Sequence, residues 1–110
     1  MIEIKEIIDI NKKFDKGDIV NQSSLDFAIS YSKASKDWIK QLAYITRALI
    51  IDHVFKEGNK RTASALIMSI LEKKKIAYDP RKVDEIIIEI IKKNVININK
   101  IRSLIKDVTR

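Results

Sequence analysis

The sequence predicts an all-α domain of five or six helices, and three observations carry that reading. Apolar residues recur at spacings of three and four along most of the chain, as they do in helices that bury one face. Only 2 glycines and 1 proline interrupt 110 residues. The breaks that do occur, at Gly17, at the SKAS run 32–35, at Gly58, at Asp79-Pro80 and at Asn94, cut the chain into pieces of helix length. A chain this long forms one domain, 1–110, around one core.

Taken in order, residues 3–14 place Ile4, Ile7, Ile8 and Phe14 on a helical face. Ile2 and Ile4 alternating with Glu3 and Lys5 also suit the start of a strand, but the longer period favours helix. Gly17 ends it. Residues 18–24 are polar around Ile19-Val20 and read as a loop or short extended segment, and residues 25–31 as a short helix. Ser32 or Ser35 is available to cap the next one. That helix, 36–55, is expected to be the central one, because Trp38, Leu42, Ile45, Leu49 and Ile50 spread its apolar band widely. It should stop at Gly58 in the left-handed conformation usual after a helix C-terminus.

Residues 62–75 form the following helix, with Ala63, Leu66, Ile67, Ile70 and Leu71 inward and Lys73, Lys74 and Lys75 complementing the negative end of its dipole. Asp79 as cap and Pro80 at the first position open a helix that Val83, Ile86, Ile87, Ile90 and Ile91 carry to 93. Residues 99–108 close the chain, with Ile101, Leu104, Ile105 and Val108 on one side.

Composition narrows the partners. The 22 Lys and Arg against 15 Asp and Glu give 22 − 15 = +7, so the surface attracts anions, whether nucleotides, acidic proteins or nucleic acids. With 0 cysteines there is no disulfide framework and no thiol chemistry. No apolar run approaches a membrane span, and acidic residues are scattered through the first 14 positions where a signal peptide would be apolar. The expectation is a cytoplasmic protein with no membrane partner.

Chemistry concentrates in residues 53–63, HVFKEGNKRTA. A histidine, a carboxylate, a Gly-Asn turn and two adjacent cations lie where one helix gives way to the next. A helix N-terminus entered from such a turn presents free N–H groups and a positive dipole end to an anion. A lone histidine in an unknown helix is ordinarily a core or surface residue, Glu57 alone a solvated carboxylate, Lys60 a solvated cation and Asn59 a helix cap. Together they form a phosphate-handling set. In the last turn of the helix 36–55, His53 would feel the dipole end that favours imidazolium, which suits a general base. Arg61 offers a planar fork to phosphate oxygens, and Glu57 suits Mg²⁺, an ion held by few carboxylates plus nucleotide oxygens and water. Phe55 should pack inward, and Thr62 and Ser64 should bond within the first helical turn.

This stretch resembles the signature of the Fic/Doc (Fido) proteins, roughly H-x-F-x-[D/E]-G-N-[G/K]-R. His53, Phe55, Glu57, Gly58, Asn59, Lys60 and Arg61 match it in order without a gap, and Lys60 is the choice of the Doc (death-on-curing) branch. The resemblance implies a compact Fido-type helical bundle with a short β-hairpin flap near the site. It implies a transferase that moves a phosphoryl group, or AMP, from ATP or another NTP to a hydroxyl of a target protein. His53 and Arg61 would be catalytic, Gly58, Asn59, Lys60 and Arg61 would bind the nucleotide phosphates, and Glu57 would hold Mg²⁺.

Residues 17–29 resemble the Doc-like flap region, in which Ile19, Val20, Asn21, Gln22 and Ser23 would dock the target by strand addition. The fuller Fic pattern has a further arginine where this chain has Ser64. With Lys60 in place of glycine, that departure favours transfer of the γ-phosphate over transfer of AMP. Doc-type chains this short are toxins restrained by a separate antitoxin protein, and no [S/T]-x-x-x-E-[G/N] inhibitory segment occurs here. Two other readings compete: a basic helical nucleic-acid-binding module, and a non-catalytic Fido protein that only binds. Against the first, Glu57 gives a phosphate-backbone reader nothing, and stacking aromatics are few.

Overall fold

The computed structural model describes residues 2–110. Six helices account for the secondary structure: α1 (Ile4–Asn11), α2 (Gln22–Ala34), α3 (Trp38–Ile50), α4 (Asn59–Lys73), α5 (Pro80–Lys92) and α6 (Ile98–Asp107). The all-α expectation is met. Among the described residues there is no strand, only two isolated antiparallel bridges, Ile19 to Phe55 and Tyr78 to Thr109.

The helix α3 is the centre, packing on α2, α4 and α6, while α4 packs on α1, α3 and α5. Its residues Leu42, Ile45 and Leu49 are fully buried together with Ile7, Leu25, Phe55, Leu66, Ile67, Ile90, Ile101 and Ile105, so every helix feeds one core. Among the inward faces read from the sequence, all five apolar positions of α4 are buried, as are Val83, Ile86, Ile87 and Ile90 of α5. Asp79 caps α5 by accepting from the Arg81 N–H, with Pro80 at the first helical position, as expected.

The boundaries around the motif differ from the expectation, and each difference has a local cause. Helix α3 stops at Ile50, not 55. Ile50, Ile51, Val54 and Phe55 keep a helical spacing, but Val54 and Phe55 belong to an extended segment. The Val20 and Asn21 N–H groups both donate to Val54 O, and the Lys56 N–H donates to Asp18 O. Gly58 is left-handed, with φ 79°, yet it is the N-cap of α4 and not the terminator of α3. Helix α4 therefore starts at Asn59, three residues before the predicted 62, and ends at Lys73, where Lys75 turns left-handed.

Helix α1 ends at Asn11, short of 14, where the bonding tightens to i→i−3, Lys13 N donating to Ile10 O and Phe14 N to Asn11 O, and the chain winds into a turn. Phe14, read as an inward residue, is 40% exposed. Helix α2 begins at Gln22 because Asn21 caps it, its side chain accepting from the Ser24 N–H. Neither Ser32 nor Ser35 caps α3. Asp37 does so, accepting from the Ile39 and Lys40 N–H groups, while the Ser32 hydroxyl donates to Ile29 O. The expected hairpin flap does not form among the described residues: Ile19 makes an isolated bridge to Phe55, the Val20 and Asn21 N–H groups donate to Val54 O, and Gln22 and Ser23 are the first turn of α2.

Candidate functional site

Two short segments build the site, the loop from α3 to α4 and the turn after α1. His53 takes φ 53°, a left-handed conformation that costs a non-glycine residue about 1–3 kcal/mol unless its flanks hold it there. They do. Before it, the Ser24 hydroxyl donates to Asp52 Oδ2 at 2.6 Å and the Asn21 amide to Asp52 O at 3.0 Å. After it, Val54 and Phe55 are wholly buried. The imidazole itself is exposed. Because His53 lies beyond the Ile51 C-cap, the expectation that it sits in the last helical turn fails. The dipole argument for its basicity lapses with it, since that effect falls off within the last turn.

Asn59 holds the loop from inside. Its Oδ1 accepts from the Phe55 N–H at 3.0 Å and its Nδ2 donates to Phe55 O at 2.8 Å, a two-point clamp across one turn. Asn59 is therefore neither the cap of α4 nor a side chain free to reach phosphate. What it offers outward is its backbone N–H. The first hydrogen bond of α4 runs from Thr62 N to Gly58 O, leaving the N–H groups of Asn59, Lys60 and Arg61 without an acceptor inside the helix.

Asn11, buried completely, does the same work from outside. Its Nδ2 donates to Glu57 O and to Thr62 Oγ1, both at 3.0 Å, and its Oδ1 accepts from the Gly17 N–H at 2.9 Å. Three segments meet on one amide. A Cβ at Gly58 would stand 3.1 Å from Asn11 Nδ2 and 3.5 Å from Asp15 Cβ, which shows how closely the α1 turn covers the loop. Thr62 is occupied here, its hydroxyl donating to Gly58 O at 2.7 Å. Ser64 turns away, donating to Asp84 Oδ1 of α5 at 2.9 Å.

The outcome is a cleft of about 690 Å³ lined by His53, Lys56, Glu57, Gly58, Asn59, Lys60 and Arg61, with Phe14, Asp15, Ile50, Ile51, Ile91 and Asn94 completing its walls. All the catalytic, phosphate-binding and metal candidates read from the sequence thus face one space. The flap candidates do not line it. Asn21 and Ser23 border a separate groove with Phe27, Arg47, Ile51, Asp52 and Ile96.

His53, Glu57, Lys60 and Arg61 are exposed. The ion pairs among the described residues, Lys73 with Glu6 and Arg102 with Asp37, leave Lys60 and Arg61 unneutralised. No cluster of three or more His, Cys, Asp or Glu side chains forms a metal cage among the described residues. The donor set of one exposed carboxylate beside cations and free N–H groups instead suits Mg²⁺ arriving with a polyphosphate.

Sequence reasoning missed Asn11 and Asp15. Asn11 was discoverable, because 4, 7, 8 and 11 are successive positions on the apolar stripe of α1, and an amide there must find partners inside. Asp15 carries no comparable signal. No helix is long and apolar enough to cross a membrane among the described residues. Comparison with known proteins finds no match to a family model, to a curated protein or to a solved structure.

Proposed function

We propose that this chain is a Fic/Doc-type transferase, nearest the Doc branch, that moves the γ-phosphoryl group of a nucleoside triphosphate to a hydroxyl of a target protein. The observation that carries the reading is the convergence of His53, Glu57, Lys60 and Arg61 on one cleft at the unpaired N-terminus of α4. The N–H groups of Asn59, Lys60 and Arg61 bind phosphate oxygens, and the Lys60 and Arg61 side chains neutralise charge as it redistributes in the transition state. Glu57 would hold Mg²⁺, which supplies further charge neutralisation when bound.

His53 accepts the proton of the attacking hydroxyl. The hydroxyl oxygen forms its bond to the γ-phosphorus as the bond to the β-γ bridging oxygen breaks. The nucleoside diphosphate leaves with that electron pair. Transfer of AMP is the alternative for the same residues, with attack on the α-phosphorus and loss of diphosphate. Lys60 in place of glycine, and Ser64 turned to Asp84 where a further arginine would stand, favour the γ reaction.

A thermal shift with nucleoside triphosphates and Mg²⁺ tests the site. Ligand at 100 times its Kd adds about 2.7 kcal/mol. A folded protein that shows no shift with any common triphosphate at millimolar concentration refutes a nucleotide site and returns the basic-module reading.

A further inference from the structure

Beside the cleft lies a second cavity of about 480 Å³, which the proposed reaction leaves unused. Phe14, Lys60 and Arg61 line both spaces, so the two adjoin at the N-terminal end of α4. The second is mostly apolar, walled by Ala65 and Met68 of α4 and by Ile87 and Ile88 of α5, with Phe14 presenting an exposed ring at the junction. Its polar feature is the pair of Ser64 and Asp84. The Ser64 hydroxyl donates to Asp84 Oδ1, which leaves Oδ2 as an acceptor without a protein donor among the described residues. Asp84 makes no ion pair with Lys60 or Arg61.

An apolar slot with one carboxylate at its edge, opening onto a phosphate site, has the form of a nucleobase pocket. We propose that this cavity holds the base of the nucleotide and that Asp84 makes it prefer guanine. The inference rests on the reading of the main cleft as a polyphosphate site.

An ionised carboxylate only accepts hydrogen bonds. Guanine presents two adjacent donors on one edge, N1–H and the exocyclic amine, and can satisfy both carboxylate oxygens at once. Adenine places the N1 lone pair beside its amine, so one oxygen faces an acceptor. Uracil offers a single N–H between two carbonyls. Phe14, Met68 and Ile88 give any base apolar contact; only Asp84 discriminates among them.

The placement also orients the triphosphate. Lys60 and Arg61 border both spaces, whereas His53 borders only the main cleft. A base in the second cavity therefore runs its phosphates past the two cations toward His53, with the γ-phosphate foremost.

The test is calorimetric titration, with Mg²⁺, of GTP, ATP and inorganic tripolyphosphate into the wild-type protein and Asp84→Asn. Asp84 is exposed, so the substitution leaves the core untouched, and the amide oxygen still accepts from Ser64. The expected result is GTP binding about tenfold or more tighter than ATP, as a charged bidentate contact implies. Asp84→Asn should abolish that preference while leaving tripolyphosphate affinity unchanged or slightly tighter, because it removes a negative charge near Lys60 and Arg61. If nucleotides bind no tighter than tripolyphosphate, or if Asp84→Asn keeps the GTP preference, the base pocket is refuted while the phosphate site stands. If tripolyphosphate and nucleotides all fail to bind, the proposed function falls and this inference with it.

Discussion

Asn59→Asp sets two physical effects against each other at one atom. The substitution is nearly isosteric. One carboxylate oxygen still accepts from the Phe55 N–H, but the other replaces an N–H donor 2.8 Å from Phe55 O and turns an attraction into a repulsion. Losing the hydrogen bond costs about 0.5–1.5 kcal/mol, and leaving the mostly buried carbonyl facing an acceptor adds about 1–3 kcal/mol. In the opposite direction, a carboxylate in the first turn of α4 gains about 0.3–1 kcal/mol from the helix dipole.

The clamp should win. Urea denaturation should show Asn59→Asp destabilised by about 0.5–4 kcal/mol, the balance of those figures. Lys60→Asp, one residue along the same turn and exposed, receives the dipole gain without breaking the clamp and should be neutral or slightly stabilising. Equal stability of Asn59→Asp and wild type would show that the amide clamp holds nothing and that the loop takes its shape from Val54 and Phe55 alone.

Three further outcomes follow from the same geometry. Gly58→Ala should cost about 1–2 kcal/mol in urea melts, because a left-handed φ penalises any Cβ and this one meets Asn11 Nδ2 at 3.1 Å; an unchanged midpoint would mean that the α1 turn gives way freely. Burial pushes the Asp37 carboxyl up, but its hydrogen bond to Arg102, the Lys40 N–H, the Arg102 charge and the Ile39 N–H together hold it below its ordinary value. A depressed carboxylate contributes stability above its unfolded pKa and loses it as pH falls through the folded one. Acid titration of melting should therefore be shallower in Asp37→Asn below the ordinary carboxylate range. The difference between the two proteins at neutral pH should be no more than about 1 kcal/mol, since about a third of each side chain of the pair faces solvent. His53→Ala should abolish turnover and leave nucleotide affinity nearly intact, whereas Arg61→Ala should weaken binding; loss of binding in His53→Ala would make His53 a structural residue.

The helices were legible wherever a long apolar stripe ran uninterrupted. Leu66, Ile67, Ile70 and Leu71 of α4, and Asp79-Pro80 before α5, stand where the pattern places them. The pattern failed where tertiary pairing competes with it. Val54 and Phe55 continue the stripe of α3 but are recruited by backbone bonds from Asp18, Val20 and Asn21, and no local signal in residues 50–55 announces a partner more than 30 positions away.

The site was legible as an inventory, because His53, Glu57, Lys60 and Arg61 lie within nine residues and a loop that short brings them to one cleft. Its supports were less so. Asn59 appeared from its place in the turn to be a cap, and Asn11 lies over 40 positions upstream of the loop it ties down. Asp84 becomes visible only when α5 packs beside α4.

The central claim is that a phosphoryl group leaves the nucleotide for a protein under the control of His53. The direct measurement is to incubate wild-type protein and His53→Ala with a cell lysate and GTP or ATP labelled at either the α- or the γ-phosphate, and to follow label into protein. The account predicts incorporation from the γ position only, absent with His53→Ala. Incorporation from the α position would establish adenylyl transfer instead, and incorporation from neither position in several lysates, by a protein that binds the nucleotide, would contradict the claim of transfer itself.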